Sequence, residues 1–420
     1  MIDLLAMTRS ARQAAQSLAI MTRARKDEAL MTLANLLDSH TDAVLNANAG
    51  DIDLAGEMGL SPALIDRLRL TQTGLRALAE DVRKVVQLPD PVGCVFDRKV
   101  LPNGLQVHKQ RVPLGVLAVI YESRPNVTVD VASLALKSGN AVILRGGKET
   151  LHSNRALFEI IQQALTSCEM PSGAVQWIDS SDRELVLSLI QMSDAVDMLI
   201  PRGGAGLHNF CREHSRIPVM TGGIGICHLF VDQSADQEAA LRIIHNGKTQ
   251  RPSVCNALDT VLVHRSIAAD FIPALIDNLQ GVAFRLDSTA LECLQVGSIP
   301  SSIITPAGPQ DFDTEWLSLV LGVKVVAGLE EAMDHIRAHS TGHSDGILTR
   351  DQANADHFVA QVDSAAVYVN ASTRFTDGGQ LGLGAEVAIS TQRLHARGPM
   401  ALEELTTYKW VIVGNDHIRE

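Results

Sequence analysis

One stretch concentrates residues able to do chemistry: Asn246-Gly247-Lys248-Thr249-Gln250-Arg251-Pro252-Ser253-Val254-Cys255-Asn256. It reads as a polar, basic, turn-rich loop after a helical pattern at residues 241–244 and before a strand-like run at residues 260–264. A thiol is nucleophilic only as its thiolate, and nearby positive charge populates that form. Lys248 and Arg251 are the cations the sequence offers for this task, which makes Cys255 a candidate nucleophile. The plainer alternative is one more half-buried, inert cysteine.

Other residues gain meaning from the strands they follow. Ser123-Arg124-Pro125-Asn126 follows an apolar run at residues 115–121, and an asparagine there can aim its amide N–H at a developing oxyanion. Arg145-Gly146-Gly147-Lys148-Glu149-Thr150 joins a strand to a helix. Its glycines can expose backbone N–H groups to a phosphate, with two cations alongside. Arg202-Gly203-Gly204-Ala205-Gly206 has the same character, though both are also ordinary turns that need glycine. Neither has Gly-x-Gly-x-x-Gly spacing with an acidic residue about 20 positions on, so the common dinucleotide fingerprint is absent. Glu315 and the run Asn370-Ala371-Ser372-Thr373-Arg374 are polar segments that local sequence does not separate from surface loop. No Cys-x-x-Cys pair is present and no mixed His/Cys cluster has zinc spacing, so no metal is expected. No Gly-x-Ser-x-Gly elbow supports a serine hydrolase.

These segments need a scaffold, and the hydrophobic pattern supplies one. Residues 1 to about 88 read as packing helices, with a Ser-Pro start at Ser61. Asn103-Gly104 between alternating runs predicts a hairpin, and a lone ribbon needs a further packing surface. From Gly115, apolar runs at 115–121, 141–144, 174–178 and 195–200 alternate with helical patterns, the signature of a parallel sheet covered on both faces. Ligands of such sheets bind outside the carboxyl ends of the strands. A second α/β stretch begins near Cys227, and residues 407–413 form a last strand.

Composition narrows the function classes. A chain of 420 residues exceeds what one core usually serves, so more than one domain is expected. A net charge of −12 with 4% aromatic residues disfavours nucleic-acid and anionic membrane surfaces. The six scattered cysteines fit a reducing compartment, and the apolar runs are too short for a membrane span. A cytoplasmic protein is expected.

Taken in order, the turn at Asn126, the Arg145 loop, the Gly203 loop, Thr221-Gly222-Gly223, Cys255 and Glu315 resemble the aldehyde dehydrogenase superfamily. Within it, Tyr121-Glu122-Ser123-Arg124-Pro125-Asn126, the Cys255 stretch, residues 369–375 and Leu381-Gly382-Leu383-Gly384-Ala385-Glu386 look like the branch that makes glutamate semialdehyde. The resemblance spans nearly the whole chain. It implies an α/β fold with a Rossmann-like cofactor domain (1–93 and 114–224), an α/β catalytic domain (225–405) and a small β oligomerisation element (94–113 and 406–420).

It also implies roles. Cys255 matches the nucleophile and Asn126 the oxyanion amide. Arg145, Gly146, Gly147, Lys148, Arg202, Gly203, Gly204 and Glu315 fall at cofactor-binding positions. Glu315 aligns with the carboxylate that holds the nicotinamide ribose, and a cation at Lys148 suits the 2′-phosphate of NADPH. Hydrolytic members carry a general-base glutamate before the Gly-Gly near Gly222, but this chain reads Pro218-Val219-Met220-Thr221 there. An enzyme that receives an acyl phosphate and releases an aldehyde needs no such base for thioester hydrolysis. The implied reaction is NADPH-dependent reduction of L-glutamyl 5-phosphate to L-glutamate 5-semialdehyde and phosphate. Arg124 and Arg251 are candidates for the substrate phosphate, and Asn370, Ser372 and Arg374 for the amino-acid end. A homo-oligomer is expected, with glutamate 5-kinase as a candidate partner. The alternatives are a coenzyme A-dependent acylating dehydrogenase and a non-catalytic scaffold for a proline-pathway kinase.

Overall fold

A computed structural model describes residues 2–222, 224–294 and 303–419. Gly223 therefore lies outside the described residues. The chain divides into two units: residues 1–221, 382–388 and 400–420 form the first, and residues 222–381 and 389–399 the second.

The first unit opens with five helices, α1 (Leu4–Leu18), α2 (Arg23–Ser39), α3 (Thr41–Glu57), α4 (Pro62–Leu68) and α5 (Gln72–Gln87). The spacing of Leu75, Leu78, Ala79, Val82, Val85 and Val86 puts them on one buried face of α5, and Thr71 caps it by accepting from Gly74 N at 3.0 Å. The hairpin follows as β1 (Val95–Val100) and β2 (Gln106–Pro113), with Gly104 at φ +91° in its turn. The packing surface that the ribbon needs is the C-terminal strand Thr406–Val413, which pairs antiparallel with β2 along its whole length. This three-stranded sheet exposes Tyr408, Trp410 and Ile412, and the Lys109 ammonium sits 4.6 Å from the Tyr408 ring centroid.

Next come β3 (Val116–Tyr121), α6 (Val127–Lys137), β4 (Ala141–Arg145), α7 (Leu151–Ser167), β5 (Val175–Trp177), α8 (Arg183–Leu189), β6 (Met198–Arg202) and α9 (Ala205–His214). The four strands form a parallel sheet in the order β5-β4-β3-β6. Every residue of β3 is buried, as its unbroken apolar run requires, and Gly139 ends α6 at φ +75°. One strand is shifted. The run at 195–200 predicts a strand there, but pairing with β3 begins at Met198 and continues through Pro201 to Arg202. Arg202 therefore ends a strand, and the loop proper starts at Gly203. Strand order reverses between β3 and β6, the kind of crevice where α/β sheets bind ligands. Residues 400–405 join this unit through contacts such as Asn140 Nδ2 donating to Leu405 O at 2.8 Å.

The second unit contains β7 (Cys227–Val231), α10 (Gln237–Thr249), β8 (Leu258–His264), α11 (Ala268–Asn278), β9 (Ala283–Leu286), α12 (Ser288–Glu292), β10 (Ile304–Pro306), β11 (Val320–Val326), α13 (Leu329–His339), β12 (Ser344–Leu348), α14 (Gln352–Gln361) and β13 (Ala366–Val369). Its strands pair in parallel in the order β10-β9-β11-β8-β7-β12-β13. Leu229, Val261, Phe271, Leu275, Phe284 and Val323 are among the fully buried residues that weld one face of this sheet to its helices.

Two elements depart from the sequence reading. Helix α10 runs on to Thr249, so Asn246, Gly247 and Lys248 belong to its last turn and the thiol loop starts only at Gln250. Strand β12 has no apolar run. Its Ser344 and Asp345 are fully buried, and Asp345 accepts from His228 N at 3.0 Å and from Ser340 Oγ at 2.6 Å. Side-chain hydrogen bonds satisfy the polar residues that disguise this strand.

Candidate active site

In the first unit, three loops leave the carboxyl ends of β3, β4 and β6, and two carboxylates staple them together. Glu149 reaches back from the β4 loop, where its Oε1 accepts from Ser123 N at 2.7 Å and from Ser123 Oγ at 2.9 Å. Ser123 sits at φ +45°, a left-handed conformation that this double hydrogen bond holds in place. Glu122 Oε2 accepts from Gly204 N at 3.1 Å and so joins the β3 loop to the β6 loop.

Both loops need their glycines for close approach. A Cβ at Gly146 would fall 2.0 Å from Asn154 Nδ2, and one at Gly203 would fall 2.3 Å from Glu122 Oε2. The charges differ in setting. Lys148 is exposed, whereas Arg145 is partly buried and donates through Nη2 to Ser181 O at 3.2 Å. Burial holds the Arg145 guanidinium below its ordinary value, with Glu149 pulling the other way. The Gly204 N–H is already committed to Glu122, so the β6 loop offers Arg202 more readily than that backbone donor. Cations, Arg145 and Arg202, stand at the carboxyl ends of two of these strands, the edge where sheets of this kind receive ligands.

Asn126 precedes α6, and its Nδ2 donates to Asp130 Oδ2 at 2.9 Å. Asp130 keeps some exposed surface, yet burial of its carboxyl group pushes it up to about 6. Arg124 is partly buried on the same turn.

In the second unit, Cys255 is half-buried on the loop between α10 and β8. Its carbonyl is fixed from two sides. Cys227 Sγ donates to it at 3.3 Å, and the Gly225 backbone packs so tightly that a Cβ there would lie 1.6 Å from the oxygen. Burial raises the Cys227 thiol well above its ordinary value, so Cys227 is held as a neutral donor. Gly225 N in turn donates to Glu315 Oε1 at 3.0 Å, which brings Glu315 to the Cys255 loop.

The cations are not distributed as the sequence suggests. Lys248 is completely buried and pairs with Asp259 at 3.3 Å, so its charge is directed at a carboxylate. Arg251 is exposed. The cation tied to the thiol loop is Arg374, whose Nε donates to Gln250 Oε1 at 3.1 Å and whose Nη1 hydrogen-bonds Asn256 Oδ1. Burial and then the charge of Arg251 hold this guanidinium below its ordinary value, while Asp377, Cys255 and Cys227 pull the other way. Asn256 returns the contact by donating to Thr376 O at 2.9 Å, and Thr373 Oγ1 donates to Asn256 O at 2.8 Å.

Ser372 belongs to this group, buried with its Oγ accepting from Arg374 N at 3.3 Å. Asn370 does not. Its Nδ2 donates to Thr349 O at 2.8 Å and its Oδ1 accepts from Thr349 N at 2.9 Å, at the carboxyl end of β12. Thr376 instead bonds Ser344 at the amino end of that strand. The expected trio therefore splits, because residues 370–376 double back along β12. Sequence reasoning passed over Gly225, Cys227, Gln250, Asn256 and Asp259. None has a motif of its own, and only Gln250 and Asn256, beside Cys255, lay within a stretch already singled out.

Comparison with known proteins places this geometry in context. The Aldehyde dehydrogenase family profile matches residues 3–302. The gamma-glutamyl phosphate reductase of Yersinia enterocolitica is 57% identical over 415 residues, covering 98% of each chain. That of Roseiflexus castenholzii is 57% identical over 413 residues, covering 97% of each. The crystal structure of gamma-glutamyl phosphate reductase from Thermotoga maritima superposes with a TM-score of 0.94 at 45% identity over the full length of both chains.

Proposed function

The chain belongs to the aldehyde dehydrogenase family, among its gamma-glutamyl phosphate reductases, and on that premise we propose a mechanism built on Cys255. The family reaction is an oxidoreduction with a nicotinamide cofactor: L-glutamyl 5-phosphate is reduced to L-glutamate 5-semialdehyde, with release of phosphate, in proline biosynthesis. The Cys255 thiolate attacks the γ-carbonyl carbon, forming a C–S bond. The tetrahedral intermediate expels phosphate and leaves a thioester. When bound, the cofactor supplies the hydride that reduces this thioester. The resulting hemithioacetal oxyanion then collapses, breaks the C–S bond, releases the aldehyde and restores the thiolate.

The observation that carries this reading is the double fixation of the Cys255 carbonyl by Gly225 and Cys227, which holds the thiol loop in one conformation. A nucleophile held in place has already lost the freedom that a loose side chain would give up on attack. Arg374, tied to both flanks of the loop, is the cation that favours the thiolate and then meets substrate anionic groups, with Arg251 beside it and Ser372 supporting its backbone. Asn126 is the oxyanion-stabilising amide, an assignment that rests on the resemblance of its motif. Arg124 is a further phosphate ligand on the same basis.

Arg145, Gly146, Gly147, Arg202 and Gly203 hold the cofactor phosphates and adenosine, Gly204 keeps its N–H on Glu122, and Glu315 holds the nicotinamide ribose. Lys148, exposed at the edge of the β4 loop, selects the 2′-phosphate and makes NADPH the preferred cofactor. The first unit thus carries most of the cofactor-binding residues, and the second carries the nucleophile. The exposed three-stranded sheet serves self-association. The protein works in the cytoplasm, with glutamate 5-kinase as the source of its unstable substrate. No described helix is long and apolar enough to cross a membrane.

The test is a semialdehyde oxidation assay with NADP or NAD, and with phosphate, arsenate or coenzyme A as acceptor. Phosphate-dependent turnover that favours NADP supports the reading. Coenzyme A-dependent turnover would replace it with an acylating dehydrogenase, and no turnover with any acceptor would leave the scaffold.

A further inference from the structure

The sequence presents Lys248 as a cation for the thiol, but the fold buries it completely against Asp259, itself 2% exposed. A buried ion pair is seldom a net source of stability, since desolvation offsets the attraction, so its presence calls for another role. Asp259 supplies a clue. The same Oδ1 that meets Lys248 Nζ at 3.3 Å also accepts from Trp316 N at 3.3 Å. Trp316 follows Glu315, whose Oε1 takes the Gly225 N–H, and Gly225 is pressed against the Cys255 carbonyl.

These contacts close a ring. Lys248 ends the helix that leads into the Cys255 loop, and Asp259 stands on the strand that leaves it. Asp259 also grips the segment carrying Glu315, and Glu315 returns to the Cys255 loop through Gly225. Other contacts brace that segment. Asp311 pairs with Arg285 at 3.6 Å, the Arg285 guanidinium lies over the Trp316 ring, and His339 Nδ1 meets Asp313 Oδ1 at 2.7 Å. The Asp259 contact joins the brace to the two ends of the thiol loop.

We propose that Lys248 and Asp259 are positioning residues for the reaction: Lys248 holds the Asp259 carboxylate, and Asp259 uses it to fix the Glu315 segment in register with the Cys255 loop. Asp259 is buried and is assigned no contact with substrate or cofactor. It acts through the Trp316 N–H, and its effect falls on cofactor binding. Burial pushes Asp259 up to about 6 and lowers Lys248, and the opposite charge that each faces works against both shifts. This inference rests on the reading of Glu315 as a cofactor ligand.

The experiment compares two double variants, both free of an orphaned buried charge. K248M/D259N keeps an acceptor for the Trp316 N–H, and K248M/D259L removes it. Three quantities are measured: hydrogen exchange at the Trp316 amide in the cofactor-free protein, KM for NADP, and kcat. The leucine variant is expected to exchange that amide roughly tenfold faster or more and to raise KM for NADP by a similar factor, with kcat within about threefold. The asparagine variant is expected to lose less than about threefold in each. Equal exchange and equal KM in the two variants would overturn the proposal. If the leucine variant does not fold, K248M/D259A removes the same acceptor and is judged by the same criteria. Glu315→Ala separates the two claims. A wild-type KM for NADP in E315A refutes the cofactor role of Glu315, while the Trp316 exchange rates still decide the tie to Asp259.

Discussion

Gly225 and Cys255 are in closer backbone contact than any side chain at residue 225 would allow, since a Cβ there would lie 1.6 Å from the Cys255 carbonyl oxygen. Gly225→Ala must therefore displace the thiol loop. Its expected outcome is a fall in kcat of about a hundredfold or more, the scale of an ångström-sized misplacement of reacting groups. Iodoacetamide labelling of Cys255 in the folded variant, set beside steady-state turnover, checks this. Normal turnover would mean that the loop tolerates the shift.

Replacing the proposed nucleophile tests the mechanism directly. Cys255→Ser should cut phosphate-dependent turnover by roughly a thousandfold or more and leave the melting temperature close to wild type, because the residue is only half-buried. Cys227→Ser should act differently. It keeps a donor for the Cys255 carbonyl, so it should lose less than about tenfold in kcat.

Arg374, not the buried Lys248, is the cation whose replacement should be felt at the thiol. If Arg374 favours the thiolate, Arg374→Met should move the alkylation profile of Cys255 to higher pH, by about one unit, and Arg374→Lys should restore part of the shift. The pH dependence of iodoacetamide labelling measures this. An unmoved profile in R374M would remove Arg374 from the thiol's environment.

Lys148 is exposed, so its replacement should affect selectivity and spare stability. If Lys148 meets the 2′-phosphate as proposed, Lys148→Glu sets a like charge against it and should raise KM for NADP by roughly tenfold or more while changing KM for NAD much less. Parallel titrations of the two cofactors check the ratio.

Asp130 gives a stability prediction with a definite sign. Its folded value, about 6, lies above the ordinary 3.8, so the native state holds a proton that the unfolded chain has lost in that window. Stability from this group is present below pH 4 and declines as pH rises through 6. The melting temperature of wild type relative to Asp130→Asn should therefore fall between pH 4 and 6.5, by roughly 2–4 °C. A constant difference would show that the carboxyl titrates normally.

The sequence announces some of this and conceals the rest for identifiable reasons. Strand β3 is legible because a strand buried on both faces leaves only apolar residues. The hairpin is legible from Asn103-Gly104, but its third strand lies about 300 residues away, beyond any local signal. Strand β12 is hidden because buried hydrogen bonds to Asp345 replace the usual apolar residues. Cys255 stands out by residue type among cations. Which cation it faces depends on where α10 ends and where residues 370–376 turn back, and one-dimensional spacing carries neither. Lys248 illustrates the gap, because its partner Asp259 is eleven residues away across a helix end, a loop and a strand start.

The two carboxylates that join the loops after β3, β4 and β6 carry a consequence for affinity. Loops hinged independently would each have to be immobilised when a dinucleotide arrives, and every ordered segment subtracts from the binding free energy. Here Glu122 and Glu149 do that ordering during folding, within a single chain and before any ligand is present. On the proposed cofactor assignment the rim of the sheet is a preorganised receptor. Loosening either glutamate should then weaken cofactor binding through the loops it holds.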